Sequence, residues 1–170
     1  MQLASQALFN QSKQQVAAIR KGLGQIVPLD SLCLFTWKEV ETLVCGNPDV
    51  DVELLKRTCD YDGLSKTDPR VTFFWAAFER FTEQQRRDFL SYTWGRTRLL
   101  PAALMERSRG SDYACLKLSP GESGDNADLA LPIVHTCFFQ MELPNYSSAD
   151  IAYERILYAI DMCGGYMGIG

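Results

Sequence analysis

The chain has 170 residues, of which 46% are hydrophobic and 11% aromatic. A chain of that size can bury roughly 70% of its unfolded surface, and this composition excludes wholesale disorder. Seventeen basic and twenty-one acidic side chains leave a formal charge of -4, which argues against a bulk cationic surface for nucleic acid. No run of eighteen apolar residues exists, so no membrane span is expected, and the Gln-, Ser- and Lys-rich start lacks the apolar core of a secretory signal.

The first twenty-four residues read as a helix with a ragged apolar stripe through Leu3, Leu8, Val16, Ile19 and Leu23. Thr36, with Glu39 three residues on, opens a short helix in capping-box spacing, and Gly46 ends it before the Asn47-Pro48 turn. Asp51 caps the next helix, which ends in a turn over 59–63. Asp68-Pro69 starts a helix whose Val71, Phe74, Trp75, Phe78 and Phe81 make an aromatic core stripe. Thr82 and Gln85 open another that runs to Gly95.

The second half changes character. Residues 96–110 read as irregular, with Pro101 among them, and 113–118 as a strand. The stretch 119–130 is rich in Gly, Ser and Asp and reads as a loop. Residues 138–143 alternate as a strand does. Ser147, with Asp150 three on, starts a last helix that Gly164 and Gly165 should stop, leaving 166–170 as a flexible tail. The expected fold is α/β (α+β): helices packed on a small sheet.

Six cysteines at 33, 45, 59, 115, 137 and 163 are widely spaced. Without a CxxC pair they suggest neither a zinc site nor a redox motif, and an intracellular chain with free thiols, cytoplasmic or nuclear, is expected. No phosphate loop or dinucleotide fingerprint is present, so no cofactor is expected. Cys137 stands apart because His135, the chain's one histidine, lies two residues before it. In an extended segment the two side chains would point the same way, about 7 Å apart, and an imidazolium there favours a thiolate. The other five cysteines read as packed thiols. Arg86, Arg87, Arg96, Arg98, Arg107 and Arg109 form a locally basic stretch that reads as a solvated surface.

Four blocks resemble the C-terminal part of a HECT-type ubiquitin ligase domain, in family order and spacing. The first runs from Leu34-Phe35-Thr36-Trp37 to Val44-Cys45-Gly46 and is similar to the last helix of the family's N-lobe. The second runs from Phe74-Trp75 to Trp94-Gly95-Arg96-Thr97-Arg98-Leu99 and resembles the helices and loop of the C-lobe. The third, Leu131-Pro132-Ile133-Val134-His135-Thr136-Cys137-Phe138-Phe139, resembles the catalytic-cysteine motif. The fourth, Leu143-Pro144-Asn145-Tyr146-Ser147-Ser148, resembles the strand exit that follows it.

The resemblance implies a transferase that accepts ubiquitin from a conjugating enzyme as a thioester on Cys137 and passes it to a substrate lysine. His135 and Thr136 would complete the catalytic group, and Leu131, Pro132, Phe138 and Phe139 would form the ubiquitin-contacting motif. Residues 1–49 would be the end of an N-lobe, with a hinge at Gly46, Asn47 and Pro48, and 50–170 a C-lobe. Tyr166 and Met167 would sit where the family places a tail contact, although the family residue there is phenylalanine. Asp125, Asp128 and Glu142 are candidates for the acid that assists the incoming amine. The implied partners are ubiquitin, the conjugating enzyme and protein substrates, with no nucleic acid. The family domain is about twice as long, and its remaining part carries the surface for the conjugating enzyme. The alternative is a truncated or vestigial C-lobe that binds ubiquitin or serves structure without turnover.

Overall fold

The computed structural model describes residues 2–110, 114–122 and 124–167, with the backbone alone considered at 2–10 and 164–167. The chain divides into two compact units, Met1–Glu41 and Thr42–Gly170. In the first, helix α1 (Gln2–Leu23) is followed by a single turn, α2 (Leu29–Leu32), and by the start of α3 (Trp37–Cys45). The predicted capping box opens α3. The Thr36 amide donates to Glu39 Oε2 at 2.7 Å, and the Glu39 amide donates to Thr36 Oγ1 at 3.3 Å. This unit exposes large apolar side chains, among them Ile19, Ile26, Leu34 and Trp37.

The second unit holds the core. Asp51 caps α4 (Val52–Thr58) by accepting from the Leu54 amide at 2.9 Å. Asp68 and Pro69 start α5 (Pro69–Glu79), as their N-cap and N1 roles predict. The Thr82–Gln85 capping box starts α6 (Glu83–Trp94), and Gly95, in the left-handed region, ends it. The expected aromatic stripe is core: Phe74, Phe78 and Phe89 are fully buried and meet ring on ring, with centroids 4.9–5.9 Å apart.

Residues 96–110 are not wholly irregular. Pro101 precedes a short helix, α7 (Ala102–Arg107), whose Met105 is fully buried. The turn expected over 59–63 contains a two-residue strand, β1 (Asp60–Tyr61). It pairs in parallel with β2 (Lys117–Pro120), which starts later than expected; Tyr113 lies outside the described residues. Residues before Cys137 form a further strand, β3 (Ile133–His135), antiparallel to β4 (Gln140–Leu143), and β4 runs parallel to β2. The sheet order is β1-β2-β4-β3.

The last helix, α8 (Ala149–Met167), begins one residue later than expected, with Ser148 Oγ accepting from the Ile151 amide at 3.3 Å. It does not stop at Gly164 and Gly165. Helix α8 packs on α5 and α6, and α5 and α6 both touch β4. Leu118, Met141 and Leu143 of the sheet, Phe139 beside it, and Ile156 of α8 share one core with the aromatic stripe. The protein is thus mostly helical, with a small, open mixed sheet near its C-terminus.

Candidate functional site

The hairpin formed by β3 and β4 builds the site. Its register pairs Ile133 with Glu142, Val134 with Met141 and His135 with Gln140. The connection is a 3-10 turn, Thr136–Phe138, so Cys137 sits on a turn and not in the extended segment expected from sequence. The idea that His135 and Cys137 align as i and i+2 of a strand is therefore corrected. The chain leaves the strand geometry right after His135 because the hairpin must reverse there.

Phe139 closes the turn in the left-handed region, at φ 47°, where a bulky residue is rare. It is fully buried and lies flat on Trp94, with centroids 4.4 Å apart and planes 3° from parallel. The Arg96 guanidinium covers Trp94 at 5.0 Å. The Phe139 carbonyl accepts from the Lys117 amide at 2.9 Å, which ties the turn to β2. The turn is thus anchored from behind while its outer side stays open.

Cys137 is exposed and unpaired. It opens on a groove of about 810 Å³ whose walls include Tyr92, Trp94, Val134, Thr136 and Met162, together with Cys163. The Tyr92 hydroxyl donates to the Pro132 carbonyl at 3.1 Å and so fastens α6 to the segment that enters β3. Burial pushes that phenol up to about 12, and the nearby Cys163 adds to the rise. His135 is exposed, and its Nε2 lies 2.8 Å from Glu142 Oε1.

Of the other predicted positions, Leu131 and Phe138 are exposed beside the turn, whereas Pro132 and Phe139 are buried. Gly46 takes φ 91°, and the Asn47 amide donates to the Leu99 carbonyl at 3.1 Å, so the 46–48 segment is linked to the end of the α6–α7 connection. The side chains of Tyr166 and Met167 lie outside the described residues. Asp128 is occupied elsewhere: it accepts from the Ser147 amide and hydroxyl, each at 2.8 Å. Glu142 is the sequence-proposed acid for which a bond to the motif is seen.

The cysteines divide differently from the sequence reading. Cys59 and Cys115 are packed thiols, but Cys33, Cys45 and Cys163 are exposed along with Cys137. Tyr92, Met162 and Cys163 were not among the predicted site residues. They reach the groove from α6 and α8 only through tertiary packing, and no local motif marks them. Among the described residues no cluster of acidic, histidine and cysteine side chains is arranged to hold a metal ion, and no helix is long and apolar enough to cross a membrane.

Comparison with known proteins places this geometry in a family. A family model described as HECT-domain (ubiquitin-transferase) matches residues 1–169. The chain is 38% identical over 163 residues to the mouse E3 ubiquitin-protein ligase HERC2, covering 96% of this chain and 3% of that protein. It is 32% identical over 167 residues to the human probable E3 ubiquitin-protein ligase HECTD2, covering 98% of this chain and 20% of that protein. The human probable E3 ubiquitin-protein ligase HECTD4 is 34% identical over 157 residues, covering 88% and 4% respectively. The chain thus spans between 2% and 20% of the length of the curated relatives it matches. With the family match running over nearly all of its residues, the chain belongs to the HECT-domain (ubiquitin-transferase) family.

Proposed function

We propose that this chain carries the acceptor cysteine of a ubiquitin ligase and that Cys137 is that residue. The observation that carries the reading is the exposed Cys137 thiol on an anchored turn at the rim of an apolar groove. In the proposed step the Cys137 sulfur attacks the carbonyl carbon of a ubiquitin thioester. A new S–C bond forms, the donor S–C bond breaks, and the donor thiol takes up a proton as Cys137 gives one up. In the second step a substrate lysine nitrogen bonds to that carbon, the Cys137 S–C bond breaks, and the amine loses its proton as the thiol is restored. No oxidant or metal enters the balance.

His135 and Thr136 flank the thiol in sequence and belong to the proposed catalytic group. Leu131 and Phe138 offer apolar contact for ubiquitin, while Pro132 and Phe139 support them from beneath. On this reading residues 1–49 are the end of an N-lobe, Gly46, Asn47 and Pro48 the hinge, and 50–170 the C-lobe. The conjugating enzyme docks on parts of the longer ligase, substrates are proteins, and the setting is the cytoplasm or nucleus. Tyr166 and Met167 are the proposed tail contact.

The test compares two donors on the 170-residue chain: a charged conjugating enzyme and a small-molecule thioester of ubiquitin. Holding donor and acceptor together can contribute roughly 7–11 kcal/mol in favourable cases, so the bare chain should react slowly with the enzyme and measurably with the small donor. The adduct should be thiol-sensitive and disappear in Cys137→Ala. An adduct that survives that substitution overturns the assignment. Reaction with neither donor, with ubiquitin still bound non-covalently, favours the vestigial binding module.

A further inference from the structure

Two residues apart on β3 and two apart on β4, the register places Ile133, His135, Gln140 and Glu142 on one face of the hairpin, opposite the side that buries Met141. His135 and Glu142 are diagonal neighbours on that face, within reach of each other. They meet at 2.8 Å, Nε2 to Oε1. A carboxylate only accepts hydrogen bonds, so the imidazole donates through Nε2, and the neutral ring is left with Nδ1 as its acceptor nitrogen. Gly121 leaves room beside this pair: a Cβ there would come within 3.3 Å of the Glu142 Cβ and within 3.2 Å of its carbonyl carbon.

The pair is half exposed, with side chains 43% and 28% accessible. Ion pairs of that kind contribute little to folding. What the contact does determine is the orientation and tautomer of the only imidazole in the chain, on the residue that leads into the Cys137 turn. We propose that Glu142 is the positioning residue for His135, holding its ring in the Nε2–H form for the reaction at Cys137. The proposal rests on the transferase reading and adds a residue that the His-Thr-Cys motif does not contain.

The experiment uses the full 170-residue chain as wild type, Glu142→Leu, Glu142→Gln, His135→Gln and the double variant His135→Gln/Glu142→Leu. Because there is one histidine, its ¹⁵N imidazole shifts report the tautomer without assignment. Adduct formation at Cys137 from a small-molecule ubiquitin thioester reports the reaction. The expected wild-type ring is the Nε2–H form, turning into a tautomer mixture in Glu142→Leu with a rate roughly three- to tenfold lower, as for groups in direct contact. Glu142→Gln, whose amide oxygen still accepts, should restore most of the rate and the tautomer. In the His135→Gln background, loss of Glu142 should cost nothing further. An equal loss in both backgrounds, or an unchanged rate and tautomer in Glu142→Leu, overturns the positioning role while leaving the transferase reading standing. Absence of any adduct on wild type overturns the transferase reading itself, and the positioning role with it.

Discussion

The rings of Trp94 and Phe139 lie face to face, 4.4 Å apart and within 3° of parallel. Trp94 ends α6, and Phe139 ends the turn that carries Cys137. The contact therefore joins the helical layer to the candidate nucleophile. It also accounts for a bulky side chain at φ 47°: the backbone strain of about 1–3 kcal/mol is offset by burying the whole ring.

Replacing Phe139 by Ala should destabilise the protein by about 3–5 kcal/mol, because the variant keeps the positive φ and loses the buried ring. Urea unfolding measures this. The same variant should slow adduct formation at Cys137, since the turn loses its anchor behind. A change below about 1 kcal/mol would mean that the backbone bond from Lys117 alone holds the turn.

Gly46 and Gly95 both occupy the left-handed region, at φ 91° and 71°, but their surroundings differ. A Cβ at Gly46 would fall 2.0 Å from the Leu99 carbonyl oxygen, whereas nothing lies within 4 Å of one at Gly95. Gly95→Ala should therefore cost only the conformational penalty of about 1–2 kcal/mol. Gly46→Ala should cost more, because it also forces apart the backbone bridge between Asn47 and Leu99. Comparing the two unfolding midpoints checks the order, and equal costs would remove the steric part of the argument.

Alkylation followed by mass spectrometry should separate the six thiols. Cys33, Cys45, Cys137 and Cys163 should label in the native protein. Cys59 and Cys115 should resist until the second unit opens, because burial both blocks access and pushes their thiols above the usual cysteine range. Raising the pH within the native range should speed labelling at exposed thiols and leave Cys59 protected. Native labelling of Cys59 as fast as Cys137 would contradict the core described around α4 and β1.

Helix starts were legible because capping is local chemistry. Thr36 with Glu39, Asp51, Asp68 with Pro69, and Thr82 with Gln85 each satisfy amides within three residues of themselves, so sequence spacing alone locates them. The aromatic stripe of α5 was legible for the same reason: the helical period puts Phe74 and Phe78 on one face. The Cys137 motif stood out as a contiguous string. What only the tertiary structure decided were relations between distant segments. Strand β1 exists because Asp60 pairs with Lys117, α7 because Met105 reaches the core, and α8 continues past two glycines in a helix packed on α5 and α6. The turn at Cys137, the stack of Phe139 on Trp94 and the bond from His135 to Glu142 all follow from the register of one hairpin against its neighbours. Register is set by which face the core buries, so a chain read residue by residue does not reveal it.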